Sequence, residues 1–217
     1  MSTQVIIQQL LGGLKTSIAI FFLTLLFSLP LGFVVVFARK SRSKLLSGIT
    51  RIYISIMRGT PLMLQLLVVY FGPYYFFKIP LTPSYRFKAV IIAFAINYAA
   101  YFAEIYRGGI ESIPAGQYEA ASVLGYSSSQ TFLKIILPQV IKIILPSVTN
   151  EIITLIKDTS LAFSIAVTEM FTIAKSISAA QKTMVPFIVA GIFYYIFNFI
   201  TAVIMERIEK SMSYYHM

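Results

Sequence analysis

Cysteine is absent from this 217-residue chain, and histidine occurs once, as His216. Without cysteine the chain can form no disulfide framework, thiolate metal site or cysteine nucleophile. The single histidine lies next to the C-terminus, where we expect a solvated tail rather than a ligand, so we predict no catalytic residue and no metal site. No glycine is followed by lysine, which excludes the Gly-x-x-x-x-Gly-Lys loop that cradles nucleotide phosphates. Any ATP hydrolysis that drives this protein must therefore take place on a separate polypeptide.

Charged residues are scarce as well. They make up 12% of the chain, whereas 58% of the residues are hydrophobic, and a soluble domain carries about 25% charged residues. This composition indicates a multi-pass protein of the lipid bilayer. The net charge of +10 does not indicate a nucleic-acid partner, because the basic residues flank apolar segments and no acidic residue precedes Glu104.

Five apolar segments are predicted to cross the membrane as helices, since about 20 residues at 1.5 Å each are needed to cross a hydrocarbon layer of about 30 Å. The stretch 39–58 contains six basic residues and no acid, which places it in the cytoplasm by the positive-inside rule. The N-terminus is then outside and the C-terminus inside. The predicted fold is an all-α membrane protein with a single transmembrane domain over residues 1–217, and its spans are 16–38, 59–77, 89–105, 132–157 and 185–205.

The fourth of these spans is interrupted in the sequence. Pro138 and Pro146 lie within it, and charged Lys157 and Asp158 lie at its outer end, so its continuity through Lys157 and Asp158 stays open. Residues 157–182 are predicted to contain a short helix on the outer side.

If the N-terminus is outside and successive spans alternate in direction, the loop between the third and fourth spans, residues 107–129, is cytoplasmic. Glu104 and Arg107, three residues apart just before it, are expected to form a local ion pair that orients the loop. Ser112 is suited to cap a helix N-terminus, and Pro114 suits a first helical turn, where its missing N–H costs nothing.

This loop is predicted to contain a short helix over residues 117–124 that ends at Gly125. Glycine is the residue that most readily takes the left-handed conformation after a helix. The serines at 127–129 can cap the next helix. Ala120 and Ala121 give the short helix a flat patch on which another protein's backbone could approach closely.

The order Glu-Ala-Ala, three residues, Gly, nine residues, Ile-x-Leu-Pro is similar to the cytoplasmic loop signature of permease subunits of ATP-binding-cassette importers. Every position of that signature is present: Glu119, Ala120, Ala121, Gly125, Ile135, Leu137 and Pro138. The resemblance implies a coupling helix, in which Glu119, Ala120, Ala121 and Gly125 contact a groove of the ATPase subunit. It also implies a five-span permease core that works by alternating access around a central pathway.

Three further stretches resemble the permeases for polar amino acids of the histidine, arginine and glutamine type. They are Arg58-Gly-Thr-Pro-Leu62, residues 99–109, and Lys157-Asp-Thr-Ser-Leu161. The resemblance implies a bacterial cytoplasmic membrane and four kinds of partner: two ATPase subunits, a second permease subunit expected to be identical, an extracellular or periplasmic substrate-binding protein, and an amino-acid substrate. It implies no cofactor on this chain, with ATP and Mg²⁺ on the ATPase.

Polar residues within the spans are the candidates for the substrate site, because a charge inside the bilayer is costly unless it faces a cavity or a partner. Glu151 and Asp158 are two helical turns apart and share a face if the helix is unbroken. Asn97 and Tyr101 are four residues apart on the third span. We predict that Asn97, Tyr101, Glu151, Asp158 and Thr159 line a polar site.

Each of these residues also has a structural interpretation that the sequence leaves open. Asp158 could pair with Lys157, Glu151 could form an ion pair or hydrogen bond within the bundle, and Asn97 and Tyr101 could bond between helices.

Two carboxylates favour arginine, lysine or histidine as substrate. Glutamine or cystine remains the alternative within the importer class. A channel or carrier independent of ATP would explain the spans but not the loop signature.

Overall fold

The computed structural model describes residues 2–212, and that range contains helices and no strand. His216 lies outside the described residues. The α-helices are α1 (Thr3–Arg39), α2 (Lys44–Gly59), α3 (Leu62–Phe77), α4 (Pro83–Glu111), α5 (Ala115–Val123), α6 (Ser128–Thr131), α7 (Leu137–Asp158), α8 (Met170–Gln181) and α9 (Val185–Ser211). A π-helical segment, Phe132–Ile136, joins α6 to α7, and a 3₁₀ helix, Thr159–Ile165, follows α7.

Four helical stretches are long and apolar enough to cross a membrane. They are Thr3–Arg39, Pro83–Glu111, Ser128–Ile165 and Val185–Ser211. Helices α2 and α3 meet the same criteria only as a pair, and they are bent by 111° at the break between them. The predicted all-helical membrane fold is confirmed, with four spans, or five if the bent pair counts as one.

The second span differs in form from the prediction. Helix α3 has 16 residues, which at 1.5 Å per residue gives about 24 Å, less than the hydrocarbon thickness of about 30 Å. Most of the basic stretch before it forms the helix α2, whose N-terminus is capped by Ser43 Oγ accepting from Leu46 N at 3.4 Å. The positive-inside rule counts charges and takes no account of the helical periodicity that buries Thr50 and Ile54 on one face of α2.

Helices α1 and α4 pack closely at the centre of the protein. A Cβ built on Gly32 of α1 would lie 2.9 Å from Phe102 Cβ of α4, so a glycine is needed there. Tyr106 on α4 donates a hydrogen bond to the Leu29 carbonyl of α1 at 3.3 Å. Close approach at small residues is the usual basis of helix packing in membranes.

The fourth predicted span is one continuous helical stretch from Ser128 to Ile165. The π-helical segment precedes Pro138, where a regular hydrogen-bond ladder cannot continue because proline has no N–H. The α-helical part passes through Lys157, ends at Asp158 and continues as the 3₁₀ helix. This answers the question of continuity, and α8 supplies the short helix predicted within residues 157–182.

Glu169 joins three helices in a place that sequence reasoning did not single out. Its carboxylate is fully buried and caps α8, accepting from Phe171 N at 2.7 Å and Thr172 N at 2.6 Å. It also accepts from Ser17 Oγ of α1 at 3.4 Å and Tyr194 OH of α9 at 3.3 Å. Burial raises the pKa of this carboxyl, and the hydrogen bonds oppose that rise.

Candidate functional site

A polar cleft of about 370 Å³ opens beside α4 and α7. Two of the five predicted site residues, Tyr101 and Glu151, line it. The polar and charged residues of its wall are Arg58, Tyr101, Glu104, Arg107, Ser147 and Glu151. Among residues 2–212, no group of three or more histidine, aspartate or glutamate side chains could hold a metal ion.

Glu151 is the acid of this cleft that no base neutralises directly. It is half-buried, and in the described part of the chain no basic group lies within 4.0 Å of its carboxylate. The charged groups that act on it from a greater distance are Arg58 and Asp158. A carboxylate in such a position has unused capacity for a cation.

Asp158 is held by a tyrosine. Its Oδ2 accepts a hydrogen bond from Tyr98 OH of α4 at 2.8 Å, and Tyr98 is itself 2% exposed. In the described residues, no ion pair within 4.0 Å joins it to Lys157, so the outer-boundary pair that the sequence left open is not formed. Asp158 lies seven residues beyond Glu151 on α7, about 10.5 Å along the axis, and is not part of the cleft wall.

The other two predicted site residues have structural hydrogen bonds. Thr159 is fully buried, and its hydroxyl donates to the Ile156 carbonyl at 2.7 Å. Asn97 is 4% exposed, and its Nδ2 donates to the Met57 carbonyl at 3.0 Å and to Gln65 Oε1 at 2.9 Å. Asn97 thus holds the bend between α2 and α3, and neither residue is part of the cleft wall.

Asn97→Ala is expected to lower the free energy of unfolding by about 1–3 kcal/mol, because two buried acceptors lose their donor. The measurement is the thermal unfolding temperature of the purified chain in detergent. Asn150→Ala is the matched control, since Asn150 is exposed on α7 and a surface change of this kind costs less than about 0.5 kcal/mol. Equal unfolding temperatures for the two variants would contradict a role of Asn97 in holding the bend.

Glu104 gathers three arginines from three helices. The expected ion pair with Arg107 is present at 2.9 Å. Arg39 from the end of α1 lies 3.1 Å from the same carboxylate, and Arg58 from the end of α2 lies 3.7 Å from it. Sequence reasoning missed the last two contacts, because they join positions that are 65 and 46 residues apart from Glu104 in the chain.

Arg58 also lines the cleft, although the sequence analysis did not place it in the site. Its guanidinium lies over the Tyr101 ring, 5.5 Å from the centroid, and its side chain is 46% exposed. The cleft therefore carries a half-exposed guanidinium, which lies 3.7 Å from Glu104, and the Glu151 carboxylate, which has no basic group within 4.0 Å among residues 2–212. This arrangement can bind a molecule that has a negative and a positive end.

The short helix of the loop is present as α5, and it begins differently from the prediction. Its N-cap position is occupied by Pro114. Ser112 does not cap it, because Ser112 lies at the C-terminus of α4, where its hydroxyl donates to the Gly109 carbonyl at 2.8 Å. Ser112 precedes the N-cap position of α5 by two residues and is therefore not placed to cap that helix.

The end of α5 follows the prediction. Gly125 has a φ of +77°. Its N–H donates to the Ser122 carbonyl at 3.0 Å, and the Tyr126 N–H donates to the Ala121 carbonyl at 3.0 Å, which is the hydrogen-bond pattern of a Schellman motif. Ser127 then caps α6 in a capping box with Gln130.

The exposed surface of this segment contains unpartnered apolar side chains. Val123 is 88% exposed and Leu124 is 73% exposed. Glu119 and Ala120 are also exposed, whereas Ala121 is 1% exposed and packs inward. Exposed apolar groups concentrated on one short helix mark a surface that another protein could cover.

Comparison with known proteins gives one family and a set of relatives. The family described as "Binding-protein-dependent transport system inner membrane component" matches residues 28–214. The L-cystine transport system permease protein TcyB of Bacillus subtilis (strain 168) is 35% identical over 208 residues, which cover 94% of this chain and 86% of TcyB. The arginine transport system permease protein ArtQ of the same organism is 34% identical over 207 residues, covering 94% and 92%.

A solved structure shares the whole architecture. The crystal structure of an amino acid ABC transporter with histidines superposes with a TM-score of 0.85 at 29% identity, over 94% of each chain.

Proposed function

This chain belongs to the family of binding-protein-dependent transport system inner membrane components, and from that premise we propose that it moves a cationic amino acid into the cytoplasm as the transmembrane subunit of an ATP-driven importer. It is a transport component rather than an enzyme, as its relatives are. Arginine, lysine and histidine are the proposed substrates, and glutamine and cystine are the alternatives within the same class.

The observation that carries the cationic assignment is Glu151, which is half-buried in a polar cleft with no basic group within 4.0 Å of its carboxylate among residues 2–212. A carboxylate removed from water without a counter-ion raises the free energy of the protein, and a bound cation relieves that cost. The substrate's α-ammonium group is the proposed counter-ion. The substrate's carboxylate is then bound by the guanidinium of Arg58, which can donate two parallel hydrogen bonds to it.

Asp158 is the proposed partner of the substrate's side-chain cation. It lies about 10.5 Å beyond Glu151 along α7, on the same face. A neutral side chain would leave this second acid with a hydrogen bond from Tyr98 but no cationic partner, which is why arginine and lysine are favoured over glutamine. Tyr98 holds the Asp158 carboxylate in place through its hydrogen bond of 2.8 Å.

The energy for transport is proposed to come from two ATPase subunits that carry ATP and Mg²⁺. Glu119, Ala120 and Gly125 on and after α5 are the proposed contact with them, supported by the exposed apolar surface beside them, whereas Ala121, which is 1% exposed, packs beneath this surface. A second, identical permease subunit completes the pathway. A substrate-binding protein delivers the amino acid at the outer face of the bacterial cytoplasmic membrane, and alternation between outward-open and inward-open forms moves it across.

Arg58→Gln is expected to raise the substrate concentration for half-maximal uptake by about five- to tenfold, a modest effect because a half-exposed charge is screened by solvent. Lysine at position 58 should recover part of the affinity, since it restores the charge but not the bidentate geometry. Initial rates of uptake over a range of arginine concentrations measure this. An unchanged half-saturation in Arg58→Gln would remove Arg58 from the site.

The function is tested with the chain, its ATPase and its binding protein together in proteoliposomes. Uptake of labelled arginine, lysine, histidine, glutamine and cystine is compared with and without ATP inside the vesicles. Uptake of the cationic amino acids that requires ATP supports the proposal, and uptake of glutamine or cystine alone would overturn the cationic assignment. Uptake that is equal without ATP would instead establish a channel or passive carrier.

A further inference from the structure

Helix α2 has three distinct faces, and one of them is buried against the rest of residues 2–212. Thr50 and Ile54 are buried. A second face is apolar and exposed, and its residues follow one another about one helical turn apart. They are Leu45 at 75%, Ile49 at 57%, Ile52 at 63% and Ile56 at 50% exposure. A helix with an apolar face of this kind beside a basic one is suited to the boundary between acyl chains and headgroups.

The third face of α2 forms the wall of a basic cleft, distinct from the cleft beside α4 and α7. Its volume is about 320 Å³. The cleft is lined by Ser41, Arg42, Lys44, Ser47, Gly48 and Arg51. The basic cleft lies at the same end of the bundle as α5. Ser47 Oγ donates to the Arg39 carbonyl at 2.7 Å, and Arg39 forms an ion pair with Glu104, near the end of α4 that leads into α5.

The positive charge in this cleft is not neutralised by the protein. In the part of the chain that the structure describes, no acid lies within 4.0 Å of Arg42, Lys44 or Arg51. The sequence contains no acidic residue before Glu104 that could supply one. Gly48 leaves room inside the cleft, since a Cβ at this position would meet no atom within 4 Å.

We propose that the basic cleft binds the phosphate of an anionic phospholipid headgroup, with the exposed apolar face of α2 lying among the acyl chains. Three cations and the Ser41 hydroxyl can donate hydrogen bonds to the two free oxygens of a phosphate diester, while the Ser47 hydroxyl donates to the Arg39 carbonyl. The adjacent apolar face selects a lipid over a soluble phosphate, because only a lipid places hydrocarbon beside the headgroup. This site is independent of the amino-acid site and of the transport proposal, and it requires only that the chain is integral to the membrane.

The test is native mass spectrometry of the full chain in detergent, with phosphatidylglycerol or phosphatidylcholine of identical acyl chains added. Wild type is expected to retain phosphatidylglycerol preferentially. The double variant Arg42→Gln with Arg51→Gln is expected to lower that preference by about tenfold or more. The matched control is Lys134→Gln with Arg207→Gln, which removes two exposed basic residues outside the basic cleft and should keep the preference.

A second pair of variants leaves every charge in place. Gly48→Phe fills the basic cleft and is expected to remove the preference, whereas Gly48→Ala adds only a methyl group and should retain it. Equal binding of the two lipids by wild type, or an unchanged preference in either disruptive variant, would overturn the proposal. Release of phosphatidylglycerol by inorganic phosphate alone would also overturn it, by showing a site for soluble anions. Protection of the cleft from lipid in the assembled transporter would show instead that a protein partner covers it.

Discussion

Uptake of arginine is expected to fall by about 30-fold or more when Glu151 is replaced by glutamine, since loss of one partner of a buried charge pair costs about 2–5 kcal/mol. Glutamine has nearly the same shape as glutamate, so the change removes the charge and little else. The substrate's ammonium group would then lose its counter-ion, whereas Arg58 would keep the Glu104 carboxylate at 3.7 Å. The measurement is the initial rate of ATP-dependent uptake in proteoliposomes, with basal ATP hydrolysis recorded in the same samples.

Glu209→Gln is the matched control for this change. Glu209 is exposed near the end of α9, so its neutralisation should leave uptake unchanged. If Glu151→Gln transports arginine as wild type does while both variants fold and hydrolyse ATP, Glu151 is a structural polar residue and the substrate site lies elsewhere. If it loses arginine uptake and gains glutamine uptake, Glu151 determines specificity for the charge.

ATP-driven uptake is expected to fall by about tenfold or more in Gly125→Val. A β-branched residue at a φ of +77° is strained, and left-handed backbone costs about 1–2 kcal/mol for residues with a Cβ. The strain is relieved by opening the Schellman turn, in which Tyr126 N–H donates to the Ala121 carbonyl. Opening this turn displaces Leu124 and the start of α6 together, and with them the proposed surface for the ATPase.

Gly125→Asn tests whether the left-handed backbone conformation, rather than glycine itself, is required at this position. Asparagine takes the left-handed conformation more readily than other residues with a side chain, so this variant should keep most of the uptake. The readouts are uptake and the stimulation of ATP hydrolysis by the loaded binding protein. Wild-type stimulation in Gly125→Val would exclude the turn after α5 from coupling, without affecting the assignment of the amino-acid site.

Residue types and spacing alone anticipated two of the polar residues that line the cleft. Glu151 and Tyr101 were predicted because polar groups within apolar segments are costly, and both line the polar cleft. Asn97 and Thr159 were chosen by the same rule. Their hydrogen bonds to Met57, Gln65 and Ile156 show why the rule does not separate a ligand-binding group from one that satisfies the backbone.

Arg58 was not anticipated as a cleft residue, because the charge rule assigned it to the cytoplasmic stretch 39–58. It lies at the end of α2, beside a break that bends the chain by 111°. Local signals near this break are a threonine and a proline, and they indicate an interruption without its angle. The angle depends on Asn97, which is 40 residues away from its acceptor in the chain.

The sequence by itself determined the properties that depend on composition and on short-range periodicity. The scarcity of charge required a membrane protein, the missing phosphate-binding loop required a separate ATPase for any ATP-driven function, and Gly125 determined where α5 ends. Tertiary structure decided which polar groups meet: Arg58 with Tyr101, Glu104 with arginines from three helices, and Tyr98 with Asp158. The physical reason is that a helix is specified by neighbours within about four residues, whereas a cleft is formed by helices whose relative positions depend on packing along their whole length.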